Sequence, residues 1–284
     1  MSLQYNSVYV DEKYSPLVEK VLGYKNPFIP GVTCNDVHQV GQAGQIFVHK
    51  PGTSAIAPAL PGQDFTAANV ADTLIPIIFN QQFNRDRKVY GVQAANVTFD
   101  KVAVELEAGV TEVKDGVIST GLAFARNGGT IIQLAGVNDT TALTTANIKT
   151  YILAARKAIV DAKGAPDTLF VNTDTYALLL QLNEYAPEFN EKRLSEGIVG
   201  RIYGLNVLEL NAFTGSVTPA GGSATALGTI SFIVLDHIAF HVLPNLNTTR
   251  VVDAIGFVGV HCQVEMLYAY KVSNALFAQL KVSA

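Results

Sequence analysis

Charged residues are scarce in this sequence, at 15% of 284 residues, against roughly 25% in an average soluble domain. The 20 lysines and arginines are outnumbered by 24 aspartates and glutamates, which gives a net charge of −4. This balance argues against a dedicated nucleic-acid binder, which would carry a basic excess. Apolar residues make up 49% of the chain, and that share excludes an intrinsically disordered protein.

Cysteines and long apolar segments are also scarce. Cys34 and Cys262 are the two cysteines, and two thiols cannot build a disulfide framework, so we expect a reducing compartment. The N-terminal stretch carries Asp11 and Glu12 and lacks the apolar segment of a secretory signal. No apolar run approaches the roughly 18 residues of a membrane span, so no membrane association is expected.

The low charge leaves two interpretations open. Either the protein has a large core, or its outside is covered mostly by copies of itself. Contiguous apolar surface usually marks an interface, and this favours the second interpretation. The stretch 210–235 contains no charged residue although it carries several glycines and a proline, which is unusual for an exposed loop.

Hydrophobic periodicity predicts the main helices. The longest is predicted from Thr98 to about Arg126, because its apolar residues recur at helical spacing: Phe99, Val102, Leu106, Val110, Val113 and Val117. A second follows Thr144 or Thr145 as cap and ends near Gly164. A third is capped by Thr173 and reaches Leu182, and a short helix is predicted over residues 15–22.

Strand signals occupy the remaining regions. Apolar runs at 46–48 and 73–79 flank a connection rich in proline and glycine, which predicts an extended two-stranded loop that packs on a neighbour. A buried strand is predicted at 168–171, and glycine-punctuated strands follow from Ile198. Further strands are predicted at 229–235, at 238–243 and within 250–282.

Two local patterns and the order of the parts resemble a known family. The helix Ile148–Lys163 is followed by the strand Thr168-Leu-Phe-Val and then by Asn172-Thr-Asp-Thr-Tyr-Ala-Leu-Leu-Leu. The second pattern is Gly197-Ile-Val-Gly-Arg-Ile-Tyr-Gly-Leu-Asn-Val. Together they resemble the major capsid proteins of tailed bacteriophages with the Hong Kong 97-type fold, and the resemblance covers nearly the whole chain.

This resemblance implies an α+β fold and a division of the chain. The implied parts are an N-terminal arm (1–45), an extended loop (46–96), a peripheral domain with a spine helix (97–146), an axial domain (147–245) and returning peripheral-domain strands (246–284). It also implies that the arm and the extended loop pack on the surfaces of adjacent subunits. The charge-free stretch 210–235 would then converge with its copies around a five- or six-fold axis.

The resemblance also implies a function and its partners. The chain would be a non-enzymatic head protein that self-assembles as hexamers and pentamers into an icosahedral shell around phage DNA. Portal, scaffolding and decoration proteins are possible partners under this interpretation, and DNA would be contacted only non-specifically. Assembly would take place in the host cytoplasm, and the mature protein would reside in the virion.

No motif assigns catalytic, cofactor-binding or metal-binding residues. P-loop, G-x-G-x-x-G and G-x-S-x-G patterns are absent. His237 and His241 are four residues apart, Cys34 and His38 share that spacing, and His261 adjoins Cys262. These pairs do not match the spacing of a zinc finger or ribbon, so the prediction is no metal, no cofactor and no catalytic residue.

Two further groups of residues were considered for assembly. Relatives of the resembled family that cross-link subunits join lysine to asparagine with a glutamate's help, and Lys50, Asn274 and Glu265 are weak candidates for that chemistry. Arg85, Arg87 and Lys88 surround Asp86 and would either hold a neighbour's acidic group or form a solvated hairpin end.

Two alternatives to a phage head protein stay open at this point. An encapsulin-like nanocompartment shell would share the fold and would need an inner pocket for cargo. A soluble oligomeric enzyme using His237 or His241 is the alternative from another class, and it would show a defined small oligomer with a deep pocket.

Overall fold

The structure is a computed structural model of the chain. It describes residues 27–35, 45–50, 73–91, 100–136, 139–190, 193–194 and 197–282. Three helices lie within these ranges: α1 (Lys101–Gly128), α2 (Ile148–Asp161) and α3 (Thr173–Leu179). The predicted helix at 15–22 and the connection at 51–72 fall outside them.

The described strands form a large sheet, a three-stranded sheet and two small hairpins. Their bounds are β1 (Gln45–Lys50), β2 (Thr73–Ile78), β3 (Gln81–Tyr90), β4 (Thr130–Ile131), β5 (Thr168–Val171), β6 (Ala186–Pro187), β7 (Ile198–Ile202), β8 (Leu205–Glu209), β9 (Ser216–Val217), β10 (Thr225–Ala226), β11 (Ile230–Leu235), β12 (Phe240–Asp253), β13 (Gly259–Val272) and β14 (Ala278–Val282).

The large sheet has the strand order β4-β14-β11-β5-β8-β7-β6 and is buried on both faces in its centre. Because side chains alternate along a strand, one face directs Phe170, Ile233 and Leu280 into a core shared with α1. The opposite face directs Leu169 and Phe232 into a separate core shared with α2. This arrangement explains why β5 and β11 read as continuous apolar runs in the sequence.

The three-stranded sheet has the order β12-β13-β3 and carries α1 across it. Leu106, Val110, Val113 and Val117 of the helix are buried, as their spacing predicted. At 28 residues α1 is about 42 Å long. Its first turn is capped by Asp100, whose carboxylate accepts the amides of Val102 and Ala103 at 3.1 Å.

Residues 27–35 pack into the chain's own core through Phe28. The Phe28 ring makes edge contacts with Phe170 and Phe240, with centroids 6.2 and 5.6 Å away. Gly121 of α1 permits this approach, because a Cβ at that position would lie 2.5 Å from the Phe28 ring. The expectation that the N-terminal segment lies across a neighbour is therefore wrong for residues 27–35.

The predicted strands at 46–48 and 73–79 pair antiparallel as β1 and β2. This pair has little core of its own, since its buried residue Ile77 packs against Leu243 and Ala269 of the three-stranded sheet. Among the described residues, the hairpin thus packs on the body through Ile77 and its partly buried neighbours Ile46 and Val48. Whether its outer part contacts a neighbour stays a prediction, because residues 51–72 lie outside the described ranges.

Strand β3 corrects the prediction of a solvated hairpin end around Arg85, Arg87 and Lys88. Residues 81–90 form one edge strand, paired in register with β13 from Gln81↔Tyr268 to Tyr90↔Gly259. The sequence did not predict this strand, because only Gln81 and Val89 are buried along it and no apolar alternation marks it. Hydrogen bonding to strand β13 makes these residues a strand, although their own sequence pattern does not predict one.

Two helix caps differ from the predictions. Asn172, rather than Thr173, caps α3 by accepting the Thr175 amide at 2.8 Å. Helix α2 is preceded by Asn147 and not by the predicted cap Thr144 or Thr145. The Asn147 side chain accepts the Thr144 amide at 2.8 Å. Strand β7 ends at Ile202, and Tyr203 and Gly204 form a two-residue turn with positive φ angles of 49° and 83°.

The charge-free stretch 210–235 is buried towards its two ends and mostly exposed in its middle, residues 214–229. Leu210, Phe213 and Leu227 join the core under α1, and Asn127 of that helix donates a hydrogen bond of 2.7 Å to Thr225. Strand β11 completes the stretch within the large sheet. Contacts within one chain therefore explain the missing charge at the two ends of the stretch, whereas the convergence of its exposed middle with neighbouring copies stays a prediction.

Two adjacent crossovers connect the sheets. In the first, the 3₁₀ turn His237–Ala239 leads from β11 to β12, and in the second the 3₁₀ turn Ala275–Phe277 leads from β13 to β14. The two crossovers bond to each other, because the Asp236 amide donates to the Phe277 carbonyl at 3.0 Å and the Ser273 amide to that of Ala239 at 2.8 Å. The last strand, β14, therefore lies in the large sheet beside β11.

Candidate assembly surfaces

The tip of the β12–β13 hairpin, residues 254–258, is apolar and projects into solvent. Ile255 is 99% exposed and Val258 is 85% exposed. The tip is nevertheless ordered by its backbone, since the amide of Gly91 donates to the Val258 carbonyl at 2.8 Å. The Phe257 ring packs on Tyr90 with a centroid distance of 4.7 Å. An ordered, exposed apolar tip is suited to insertion into another protein surface.

Strand β2 offers a second apolar surface. Leu74 and Ile78 are each 55% exposed, whereas Ile77 between them faces the body and is buried. The alternation of the strand thus places one set of side chains on the protein and the other set outward. The outward set has no covering element among the described residues.

Phe189 forms a third exposed apolar surface. It follows the edge strand β6 and is 84% exposed. The turn that presents it is held by Glu188, whose carboxylate accepts the amides of Phe189 and Asn190 at 3.2 and 3.1 Å. The Asn190 amide in particular lowers the pKa of Glu188, and Arg193 adds an ion pair at 3.2 Å. Phe189 is therefore held in an exposed position by a defined turn.

Ionic contacts join β3 to α1 within the chain. Arg87 pairs with Glu105 at 2.6 Å and also with Glu112, which in turn contacts Arg85. The hydrogen bonds that Arg87 donates to Glu105 and Glu112 raise the pKa of Arg87, and Lys101 is the largest cause of the lowered pKa of Glu105. Arg85 and Arg87 of the predicted basic cluster are thus paired with acidic groups of their own chain. Lys88 is exposed beside the Phe257 ring, and a contact between it and a neighbour's carboxylate stays a prediction.

A buried polar cluster anchors the last strand. Lys281 of β14 donates from Nζ to both Oδ1 and the carbonyl of Asp139, each at 3.0 Å, and both side chains are fully buried. Tyr151 of α2 donates to Asp139 Oδ2 at 2.7 Å. This hydroxyl is the largest cause that holds the pKa of Asp139 far below its usual range. Sequence reasoning missed the cluster, although the lone lysine between Leu280 and Val282 was a signal.

A second polar cluster lies at the first crossover. Asp167 precedes β5, while Asp236 and His237 follow β11, and ligand atoms of the three side chains lie within 4.8 Å of one another. His237 Nδ1 contacts Asp167 Oδ2. Sequence reasoning singled out His237 but paired it with His241, and it missed both aspartates.

The other predicted histidines and cysteines do not come together as ligands among the described residues. His241 is buried in β12, and His261 of β13 pairs with Asp86 at 2.9 Å. Cys34 and Cys262 are both buried, and burial raises the pKa of Cys262 to about 11. The side chains of His38 and His49 lie outside the described residues.

The three residues considered for cross-linking are placed on separate elements. Lys50 is the last residue of β1, opposite Thr73. Glu265 lies within β13 and accepts a hydrogen bond of 2.6 Å from Gln82. Asn274 caps the second 3₁₀ turn by accepting the Leu276 amide at 3.2 Å, beyond a stretch of extended strand of about 23 Å after Glu265. Glu265 and Asn274 therefore do not meet within one chain.

Within the described residues, no helix combines the length and the apolar character that crossing a membrane requires. Comparison of the sequence with protein-family models and with curated proteins gives no match.

Comparison of the structure with solved structures gives matches over most of the chain. The capsid structure of the cyanophage P-SCSP1u has a TM-score of 0.66 at 12% identity, covering 87% of this chain and 85% of that one. The mature capsid of bacteriophage PhiM1 has a TM-score of 0.60 at 12% identity, covering 86% and 83%. The capsid of an empty GTA particle has a TM-score of 0.58 at 11% identity, covering 87% and 86%. The chain has the fold of phage capsid chains.

Proposed function

We propose that the protein is the major capsid protein of a tailed bacteriophage, with the Hong Kong 97-type fold. Its copies self-assemble into the icosahedral shell that encloses the phage DNA. The observation that carries this proposal is the fold, which matches the phage capsid structures named above over at least 86% of this chain.

The exposed apolar residues support the proposal. They occur on separate structural elements: the hairpin tip 254–258, the outward face of β2 and the turn that carries Phe189. A single dimer interface would collect such residues in one patch. A closed shell needs different, heterologous contacts along several edges of each subunit, which this distribution supplies.

The proposal includes a division of the chain. The arm would comprise residues 1–45, the extended loop 46–96, the peripheral domain 97–146 and 246–284, and the axial domain 147–245. The axial domain then contains α2, α3 and the strands from β5 to β11, and the peripheral domain contains α1 and most of the β12–β13 hairpin. Strands β4 and β14 would extend the axial-domain sheet although they come from peripheral-domain sequence.

The proposed partners follow from the shell function. Copies of the chain would form hexamers and pentamers, with portal, scaffolding and decoration proteins as further partners. A net charge of −4 per subunit avoids strong attachment to the packaged duplex. The protein would act without catalysis, assemble in the host cytoplasm and reside in the virion.

Electron microscopy of the purified protein in negative stain, combined with light scattering, tests the proposal. We expect closed shells, or rings of five or six subunits, at high protein concentration and physiological salt. A single monodisperse monomer under those conditions would contradict it. Shells that enclose a protein cargo and no DNA in the native host would instead support the encapsulin-like alternative.

A further inference from the structure

Three side chains with metal-ligating atoms meet where β5 begins and β11 ends. The two strands are antiparallel neighbours, and their last pair is Leu235↔Thr168. The next residues, Asp236 and Asp167, therefore lie opposite each other at the ends of these two neighbouring strands. His237 follows directly, and the ligand atoms of all three lie within 4.8 Å of one another.

Two facing carboxylates are unfavourable unless something positive balances them. Asp236 is almost completely buried, and Asp167 is 28% exposed through its side chain. Desolvation is the largest cause that raises the pKa of Asp167, and the charge of Asp236 raises it further. His237 contacts Asp167 through Nδ1, but one imidazole cannot neutralise two carboxylates.

Neighbouring donors hold these carboxylates in place. Asp236 accepts the Ala165 amide on Oδ2 at 2.8 Å and the Ile238 amide on Oδ1 at 3.1 Å. Asp167 Oδ1 accepts the Thr168 hydroxyl at 2.9 Å. Asp167 Oδ1 also accepts the His237 amide at 3.3 Å, so Asp167 Oδ2 and the two Asp236 oxygens are the ones that retain a lone pair for a metal. Such outer hydrogen bonds orient the ligands of protein metal sites.

We propose that Asp167, Asp236 and His237 bind one divalent transition-metal ion, with Zn²⁺ as the best-matched ion. Imidazole and carboxylate ligands together suit Zn²⁺, whose ligands lie about 2.0–2.2 Å from the metal and so within about 4.4 Å of one another. Small side-chain movements from the present spacing satisfy that limit. Ca²⁺ requires six to eight oxygen ligands, which this cluster does not supply.

The ion would connect parts of the chain that are distant in sequence. Asp167 belongs to the start of β5, whereas Asp236 and His237 form the crossover that leads from the large sheet into β12. A metal held by all three residues fixes the start of the crossover to the sheet. The partly exposed side of Asp167 and His237 leaves room for water as the remaining ligand.

The test uses the full-length protein in its natural assembly state, after removal of metals with a chelator. Zn²⁺, Mg²⁺ and Ca²⁺ are titrated separately by calorimetry, and Co²⁺ is added as a spectroscopic probe of coordination. We expect one Zn²⁺ per chain, a rise in Tm with Zn²⁺, and Co²⁺ absorption bands typical of nitrogen and oxygen ligands. Mg²⁺ and Ca²⁺ should give no comparable change.

His237→Gln and Asp167→Asn are the diagnostic variants, since both keep a side chain of similar size. Each should weaken Zn²⁺ binding at least ~10-fold. His261→Gln is the matched control, because His261 pairs with Asp86 at 2.9 Å in the same way but has no second carboxylate in a described contact. Absence of Zn²⁺ binding to the unmodified protein, or equal binding by the His237→Gln and His261→Gln variants, would overturn the proposal. Shell formation is scored separately, so failure of the metal site leaves the capsid function untouched.

Discussion

In strand β11 of the large sheet, every residue of the run Ile230–Leu235 is buried, whereas at the tip of the β12–β13 hairpin residues of the same chemical kind are exposed. The strand is covered on one face by α1 and on the other by α2. The tip is covered by no described element, yet its backbone is hydrogen-bonded and its Phe257 ring is packed on Tyr90.

The comparison shows that the low charge of this sequence has two sources. Part of the charge-free stretch 210–235, including Phe213, Leu227 and strand β11, is core of a single chain, whereas residues 214–229 are mostly exposed. The hairpin tip, the outward face of β2 and Phe189 are apolar without being core. Only this second group supports self-association, and substitutions can separate the two groups.

The largest expected effect on stability is that of Phe232→Ala in the buried strand. Removing this ring leaves a cavity between β11 and α2, and such truncations cost about 3–5 kcal/mol of unfolding free energy. Phe189→Ala is the matched control, because its ring is 84% exposed, and it should change the unfolding free energy by less than about 0.5 kcal/mol. Urea denaturation measures both. Similar losses in the two variants would mean that Phe189 is core.

The next effect in size is expected at the buried cation of β14. Lys281→Met leaves the Asp139 carboxylate buried without its cationic partner, and we expect Tm to fall by about 10 °C. Lys157→Met, which removes an exposed ion pair with Asp161, should lower Tm by about 1–2 °C or less. Calorimetry of both variants measures the difference.

A double substitution separates lost charge pairing from lost packing. Adding Asp139→Asn to Lys281→Met removes the unpaired carboxylate, so part of the lost Tm should return. If the double variant is less stable than Lys281→Met alone, the amides of Leu134, Ala135 and Thr141, which donate to this carboxylate at 3.0–3.1 Å, contribute more stability than the unpaired charge costs.

A smaller effect, with a defined pH dependence, is expected from Tyr151→Phe. The Tyr151 hydroxyl is the largest cause of the depressed pKa of Asp139 in the folded protein. A depressed folded-state pKa stabilises the fold at neutral pH, and that contribution is lost as the pH falls below about 4. The variant should therefore lose about 2–6 °C of Tm at pH 7, and this loss should shrink only as the pH approaches the folded-state pKa of Asp139, far below 4.

Tyr185→Phe controls for loss of a buried hydroxyl without a carboxylate partner. Its hydroxyl donates to the Val199 carbonyl at 2.8 Å, so the change in Tm should be the same at pH 7 and in the acid range where the Tyr151→Phe loss shrinks. If Tyr151→Phe behaves in this pH-independent way, Tyr151 does not control the protonation of Asp139.

The spacing of apolar residues was sufficient to predict helices that bury one apolar face and strands made of consecutive apolar residues. The α1 stripe at Leu106, Val110 and Val113 and the apolar run of β5 are examples, since their burial follows from spacing alone. Strand β3 was missed because its order comes from pairing with β13, far away in the sequence. The polar clusters were missed for the same reason: the Asp139–Lys281 hydrogen bond joins residues 142 positions apart, and Asp167 and His237 are 70 positions apart.

The smallest expected effect on stability, and a large one on assembly, belongs to the hairpin tip. In the Ile255→Ser, Val258→Ser double variant the unfolding free energy should change by less than about 0.5 kcal/mol per substitution, because both side chains are already solvated in the isolated chain. If copies of the chain cover this tip, the variant should form fewer closed shells or stop at isolated rings in electron micrographs. A matched pair of substitutions at exposed polar positions, Lys157→Ser and Glu107→Ser, should leave shell yield unchanged. Normal shells from the tip variant, with stability also unchanged, would mean that this apolar tip takes no part in assembly and would leave β2 and Phe189 as the candidate contacts.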